Sequence, residues 1–285
     1  MNVKVLAIIL LFLSSIIWGG GFVAVKNCTL YLSSSYIIFL RFSIASLLLF
    51  FIYYKRLINT DLFSIIKGFI LGTFLFLAFW LQTEGIKFTT PGRNAFFTST
   101  NVIIVPFLYW PLSNKKPSLI HIISAFISLL GVLLLFYNGE RWNINTGDIL
   151  SLFCALFFAL HIIYTKKFVS TIDPISLTFY QFLSISLLSL FTIILYKESL
   201  SIIIDKTFII SLTYISLLST FIAYIFQTLS QKYLHPSVVS IILSTESVFG
   251  YFFSHIILGE EITVNTILGG LLIFISVMIA SSKEP

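Results

Sequence analysis

The sequence predicts an all-α, polytopic integral membrane protein with ten transmembrane helices arranged as two inverted five-helix repeats. Three observations predict it. Hydrophobic residues make up 58% of the 285 and charged residues only 10%, with a mean hydropathy of +1.04, whereas a soluble domain carries about 25% charge. The apolar residues fall into runs about as long as a bilayer is thick, roughly 20 residues at 1.5 Å rise each. The second half of the chain also repeats the first, at an offset of about 140 to 145 residues.

The runs lie at 4–26, 33–54, 64–84, 91–110, 118–137, 147–166, 174–196, 207–230, 236–257 and 264–281, separated by polar or Pro/Gly-bearing breaks. The first follows Met1 to Lys4 and is too long for a signal h-region, with no small-residue cleavage site, so it is expected to be retained as a helix. The weakest break is Thr89-Thr90-Pro91-Gly92; without it the count is nine. The elbow Gln231-Lys232-Tyr233-Leu234-His235-Pro236 separates the eighth and ninth runs. No length is left for an extramembrane domain.

Basic residues set the expected orientation. With the N-terminus inside, Lys4, Lys55, Arg56, Lys67, Lys115, Lys116, Lys166, Lys167, Lys232 and Lys283 are cytoplasmic. Lys26, Lys87, Arg93, Arg141, Lys197 and Lys206 fall outside, and the connection with Glu260 and Glu261 has no basic residue. Both termini are therefore expected in the cytoplasm, with the protein in the inner or plasma membrane. The net charge of +6 is spread among connections and does not form a nucleic-acid surface.

The repeat is carried by polar as well as apolar matches. At the shorter offset Trp18 meets Phe158, Lys26 meets Lys166, and Phe42, Ser46 and Phe51 meet Phe182, Ser186 and Phe191. At the longer offset Gln82, Thr83, Lys87, Pro91, Ser99 and Thr100 meet Gln227, Thr228, Lys232, Pro236, Ser244 and Thr245. The expected units are residues 1–139 and 140–285. Five helices is an odd number, so the second unit enters the membrane upside down, an architecture of secondary transporters with a midplane site that opens alternately to each side.

The segments IIWGGGFVAVK at 16–26, LRFSIASLL at 40–48, GDILSLFCALFFALHIIYTKK at 147–167, LLSTFIAYIFQTLSQKY at 217–233, ILSTESVFGYFFSHIILGEEIT at 242–263 and GGLLIFISVMIA at 269–280 resemble the drug/metabolite transporter superfamily, the ten-helix type with two EamA domains. The resemblance covers nearly the whole chain and rests on the order and spacing of the pieces. It implies a small-metabolite exporter or importer with a central cavity between the repeats; the family's substrates include amino acids, sugars and drug-like compounds. The chain departs from the usual pattern where proline follows the mid-helix serine or glutamate. Asn101 follows Ser99-Thr100 and Ser247 follows Glu246, which puts the expected kinks in question, with Pro106 a further source of one in the fourth helix.

Eight residues are candidates for solute binding. Glu246, near the midplane, must face water, a cation or a polar side chain if ionised, or else sit as a neutral acid bonded to a neighbouring helix. Its counterpart Asn101 is expected at similar depth. Arg41, in the outer half of helix two, would meet a substrate carboxylate, pair within the protein or snorkel to headgroups; its counterpart is Gln181. Trp18 lies deep in helix one, within Trp-Gly-Gly-Gly-Phe, where it stacks on a ligand or packs in the core. Gln82, Gln227, His161 and Tyr164 line the path or bond between helices. Gly68, Gly72, Gly269 and Gly270 are expected to allow close helix approach.

No nucleotide loop, HExxH, DxxD metal pair or nucleophile elbow occurs, so neither catalysis, a cofactor nor a metal is expected. Cys28 and Cys154 do not make a disulfide framework, although a single bridge stays open. The function expected is secondary transport of a small organic solute, an amino-acid or related metabolite exporter, in a lipid bilayer and without a required protein partner. Glu246 would carry a coupling proton or bind a cationic group. The alternative within transport is proton-coupled export of lipophilic cations. A membrane enzyme would need a cluster of acids or histidines at one face, and the acids here are scattered.

Overall fold

The structure, a computed structural model, describes residues 2–137, 144–199, 205–259 and 261–282; Arg141, Glu260 and Lys283, used in the orientation argument, lie outside them. The described residues form helices and connections, with no strand among them. Among the described residues ten helices are long and apolar enough to cross a membrane. They are α1 (Val3–Cys28), α2 (Ser34–Leu57), α3 (Leu62–Phe88), α4 (Pro91–Ser99 continued by Asn101–Ser113), α5 (Leu119–Phe136), α6 (Thr146–Val169), α7 (Pro174–Leu195), α8 (Lys206–Thr213, Tyr214–Ile222 and Ala223–Gln231), α9 (Pro236–Leu243 continued by Glu246–Leu258) and α10 (Val264–Ser281).

Local chemistry starts these helices where the breaks lie. Ser33, Asp61, Thr90, Asn145, Asp173, Asp205 and Thr263 each accept a hydrogen bond from a backbone N–H of the first turn, a cap worth about 1 kcal/mol. Thr90 with Pro91 at the first helical position makes the Thr89–Gly92 break a real one, which excludes nine helices. In lipid every backbone group must be satisfied within the segment, so a capped apolar run has no better option than a spanning helix.

Two helices are interrupted at mid-depth without proline. Thr100 Oγ1 donates to the Phe97 carbonyl at 2.6 Å, and Thr245 Oγ1 to the Ile242 carbonyl at 2.7 Å. Backbone bonds three residues apart, Thr100 N to Phe97 O and Thr245 N to Ile242 O, tighten each turn. The interruptions thus arise without the missing prolines, at turns into which a hydroxyl bonds back, and the two breaks touch through Ser99 Oγ and Ser247 Oγ at 3.0 Å. The middle third of α8 is a π-helix, Tyr214–Ile222, in which Thr220 Oγ1 donates five residues back to the Ile215 carbonyl.

Close crossings depend on small residues, since lipid tails offer no hydrophobic drive between helices. A Cβ on Gly131 of α5 would lie 2.7 Å from the Gly269 carbonyl of α10, and one on Gly269 would lie 2.5 Å from the Gly131 carbonyl. On α3, a Cβ on Gly68 or Gly72 would come within 2.4 Å of Tyr180 or Ser184 of α7. The main pairings are α5 with α10, α3 with α6 and α7, α2 with α7 and α8, α1 with α8 and α9, and α4 with α6. Exchanging α1–α5 for α6–α10 maps this set onto itself: α3 on α6 becomes α8 on α1, and α3 on α7 becomes α8 on α2. Lys26 Nζ donates to the Ile86 carbonyl at the end of α3, and its counterpart Lys166 Nζ donates to the Lys232 carbonyl just past α8.

Candidate functional site

Between the two halves lies a partly open cavity with about 680 Å³ of atom-free space, counting its mouth. Helices α1, α2, α3, α4, α6, α8 and α9 line it. Twelve lining residues form six pairs at the two repeat offsets: Trp18 with Phe158, Phe22 with Ile162, Phe79 with Tyr224, Gln82 with Gln227, Thr98 with Leu243, and Asn101 with Glu246. The remainder are Gly21, Val25, Arg41, Ile86, Asn94 and Ser219.

Of the eight candidates, Trp18, Arg41, Gln82, Asn101, Gln227 and Glu246 line this cavity, whereas His161 and Tyr164 do not. His161 is fully buried behind it, with Nε2 2.8 Å from Gln181 Oε1 and its ring 6.0 Å from that of Tyr224. Tyr164 packs on Phe74 and Phe168. A polar side chain in a spanning run reveals depth but not which face it points from, and these two point into helix contacts.

Arg41 makes neither an internal ion pair nor a snorkelling contact. It is 2% exposed, and no carboxylate of the described residues lies within ion-pair distance. Its Nε donates to Thr220 Oγ1 at 2.8 Å and a terminal nitrogen to Ser219 Oγ at 3.2 Å, and its guanidinium lies 4.6 Å from the Phe79 ring centre. The π-helix puts both hydroxyls on one side, and the Ser219 carbonyl also accepts from Trp18 Nε1 at 2.8 Å. That bond holds the indole against the Tyr224 ring, 5.0 Å between centres. A π segment is often where a helix bends its register to serve a site.

Glu246 opens the second part of α9, immediately after the Ser244–Thr245 break, and among the described residues it has no hydrogen-bond or ion-pair partner. Asn101 opens the second part of α4 in the same way. Each side chain therefore projects from just past a mid-helix break. The cavity thus carries the guanidinium of Arg41 and the carboxyl group of Glu246, not paired with each other, between walls formed by Trp18, Phe79, Phe158 and Tyr224. Cys28 and Cys154 are buried and unbridged, and among the described residues no group of acids, histidines and cysteines is placed to hold a metal.

Sequence reasoning missed Asn94, Thr98 and Tyr224. The first two were legible: Asn94, Thr98 and Asn101 are spaced four and three apart, one polar stripe on a helix. Tyr224 lies three residues before Gln227 on the same face. The apolar liners Val25, Ile86 and Leu243 carry no such signal.

A profile of the family described as EamA-like transporter family matches residues 5–137 and again residues 145–282. The chain belongs to the EamA-like transporter family. Two curated relatives from Archaeoglobus fulgidus are each named only as an uncharacterized transporter. One is 32% identical over 95% of this chain and 84% of its own length, the other 24% identical over 97% of each. A crystal structure resembles this EamA-like transporter with a TM-score of 0.81 at 13% identity, over 97% of this chain and 96% of its own; that likeness speaks for the fold. Family membership makes the chain a multi-pass membrane transporter of a small solute.

Proposed function

We propose that the protein is a secondary transporter that exports an amino acid or related metabolite across the cell membrane, by alternating access between inverted repeats 1–139 and 140–285, with both termini cytoplasmic. The observation that carries this reading is the pairing of an unneutralised guanidinium, Arg41, with an unpartnered carboxylate, Glu246, in one aromatic-walled cavity at mid-depth. A zwitterion satisfies both groups at once: its carboxylate meets Arg41 as a charge-assisted hydrogen-bond acceptor, and its ammonium meets Glu246. Trp18 and Tyr224 supply a flat apolar wall for its side chain, and Asn101, Gln82 and Gln227 supply neutral hydrogen bonds. The self-exchanging helix pairings and the six counterpart pairs in the lining support two equivalent units around this site.

Glu246 holds either a proton or the solute's ammonium: loading releases the proton to one aqueous phase and unloading takes one up from the other, which couples transport to the proton gradient. In proteoliposomes, uptake of labelled neutral amino acids is expected to depend on pH, and Glu246→Gln to remove both that dependence and most of the uptake. Unchanged rate and pH dependence in that variant would end the coupling role. A second reading, export of lipophilic cations, draws on the same carboxylate and aromatic walls, while the buried Arg41 opposes it. Rescue of drug-sensitive cells, set against rescue of cells overloaded with amino acids, separates the two.

A further inference from the structure

The cavity is not symmetric about mid-depth. Its six unpaired lining residues include Gly21, Val25, Arg41 and Ile86, which all lie toward the face where α1 and α3 end. Their counterparts at the repeat offsets are His161, Thr165, Gln181 and Gln231, and none of these lines the cavity. They lie toward the opposite face, where α1 begins, and each is at most 1% exposed. The counterpart of Asn94 is Val239, part of an apolar plug with Leu11, Val105, Leu234 and Val238 that seals this side.

This sealed side holds polar atoms that the packing does not satisfy. His161 Nδ1, Gln181 Nε2 and both Gln231 side-chain atoms, Nε2 and Oε1, are buried with no hydrogen-bond partner among the described residues. A buried polar atom without a partner is destabilising, and most native ones are paired, so four such atoms at related positions require a reason. An apolar plug alone would be made more cheaply by leucine.

From this we infer that His161, Thr165, Gln181 and Gln231 form the lining of the solute path in the opposite-facing state, closed here. The inference rests on the alternating-access reading above. When two inverted units exchange conformations, each position takes the environment its counterpart has now. The four side chains then face water and solute, and their unpaired atoms gain partners. Chemically this half of the path is neutral, with an amide and an imidazole where the other half has a guanidinium. A solute carboxylate meets only Gln181 on this side and Arg41 at the matching place on the other, so the two halves of the path hold it unequally. The existing His161 Nε2 to Gln181 Oε1 bond, 2.8 Å, keeps the pair together while closed.

The test uses the full chain with Cys28→Ala and Cys154→Ala, reconstituted in one orientation, and single cysteines from Thr165→Cys, Gln231→Cys and, as the open-side reference, Val25→Cys. A membrane-impermeant thiol reagent is applied to each face during exchange of a mixture of neutral amino acids. The expected result is modification of the first two only from the face where α1 begins, several-fold faster with amino acids present, and modification of Val25→Cys only from the other face. Continued exchange with both cysteines unmodified from either face overturns the inference and leaves the transport reading intact. An unmodified Val25→Cys together with absent exchange overturns the transport reading itself. Gln231→Leu gives a second readout: removal of two unpaired atoms from the seal is expected to raise the melting temperature and slow exchange, and a variant that melts no higher and exchanges at the normal rate counts against the inference.

Discussion

Arg41→Met separates a solute-binding guanidinium from a structural one. Within the protein the guanidinium has two hydroxyl partners, Thr220 and Ser219, and the faces of Phe42 and Phe79 at 5.3 and 4.6 Å. Removing a buried charge that has no opposite charge relieves its desolvation cost, and methionine, of similar reach, keeps contact with both rings. Two hydroxyls lose a donor, but Thr220 Oγ1 still donates to the Ile215 carbonyl. The melting temperature in detergent is therefore expected to hold or rise. The solute, by contrast, loses a charge-assisted hydrogen bond worth about 1.5–3 kcal/mol, so its apparent affinity falls by about ten- to a hundredfold at 1.4 kcal/mol per factor of ten. Counterflow of a labelled neutral amino acid in proteoliposomes reads the affinity, and fluorescence-detected melting reads the stability. A variant that melts several degrees lower while its apparent KM is unchanged would refute the reasoning and make Arg41 a structural prop.

Three further outcomes are expected. Gly131→Ala forces a methyl to within 2.7 Å of the Gly269 carbonyl and 2.8 Å of Ile273 Cγ1, so α5 and α10 must part and stability should fall by about 1–3 kcal/mol in detergent unfolding; an unchanged midpoint would show that the crossing is loose. Asp148→Asn removes the carboxylate, fully buried at its side chain, that accepts from Arg93 and Thr89 and closes the α6 capping box; loss of the charge-assisted bond to the part-exposed Arg93 costs about 1.5–3 kcal/mol, read as a lower melting temperature. His235, in the α8–α9 connection, is held down to about 4 by burial and by the nearby His121 and Lys166, with the His121 ring stacked at 5.0 Å and the Tyr109 ring edge-on. Its folded value lies below the ordinary 6.5, so the unfolded chain binds the proton first. Stability should hold above about pH 6.5 and fall as the pH drops toward 4, and His235→Gln should shrink that fall in a melting series against pH.

The amino-acid sequence alone determined the spans. Each run's hydropathy, the N-capping residues at the breaks and the demand that lipid-embedded backbone satisfy itself within one segment leave only helices of these lengths; every boundary falls within a few residues of its run. The sequence also made the duplication readable, because Gln-Thr, Lys, Pro and Ser-Thr recur in register. Which polar residues meet was another matter. Trp18, Arg41, Asn101 and Glu246 face one hollow while His161 and Tyr164 turn into helix contacts, because helix rotation is set by pairings such as Gly131 on Gly269, between residues far apart in the chain. At the mid-helix breaks without proline and in the π turn of α8, hydroxyls bond back to nearby carbonyls, and a serine or threonine in a helical run does so or not according to its neighbours on other helices. The depth of each side chain follows from counting along one helix; its direction exists only once ten helices have packed.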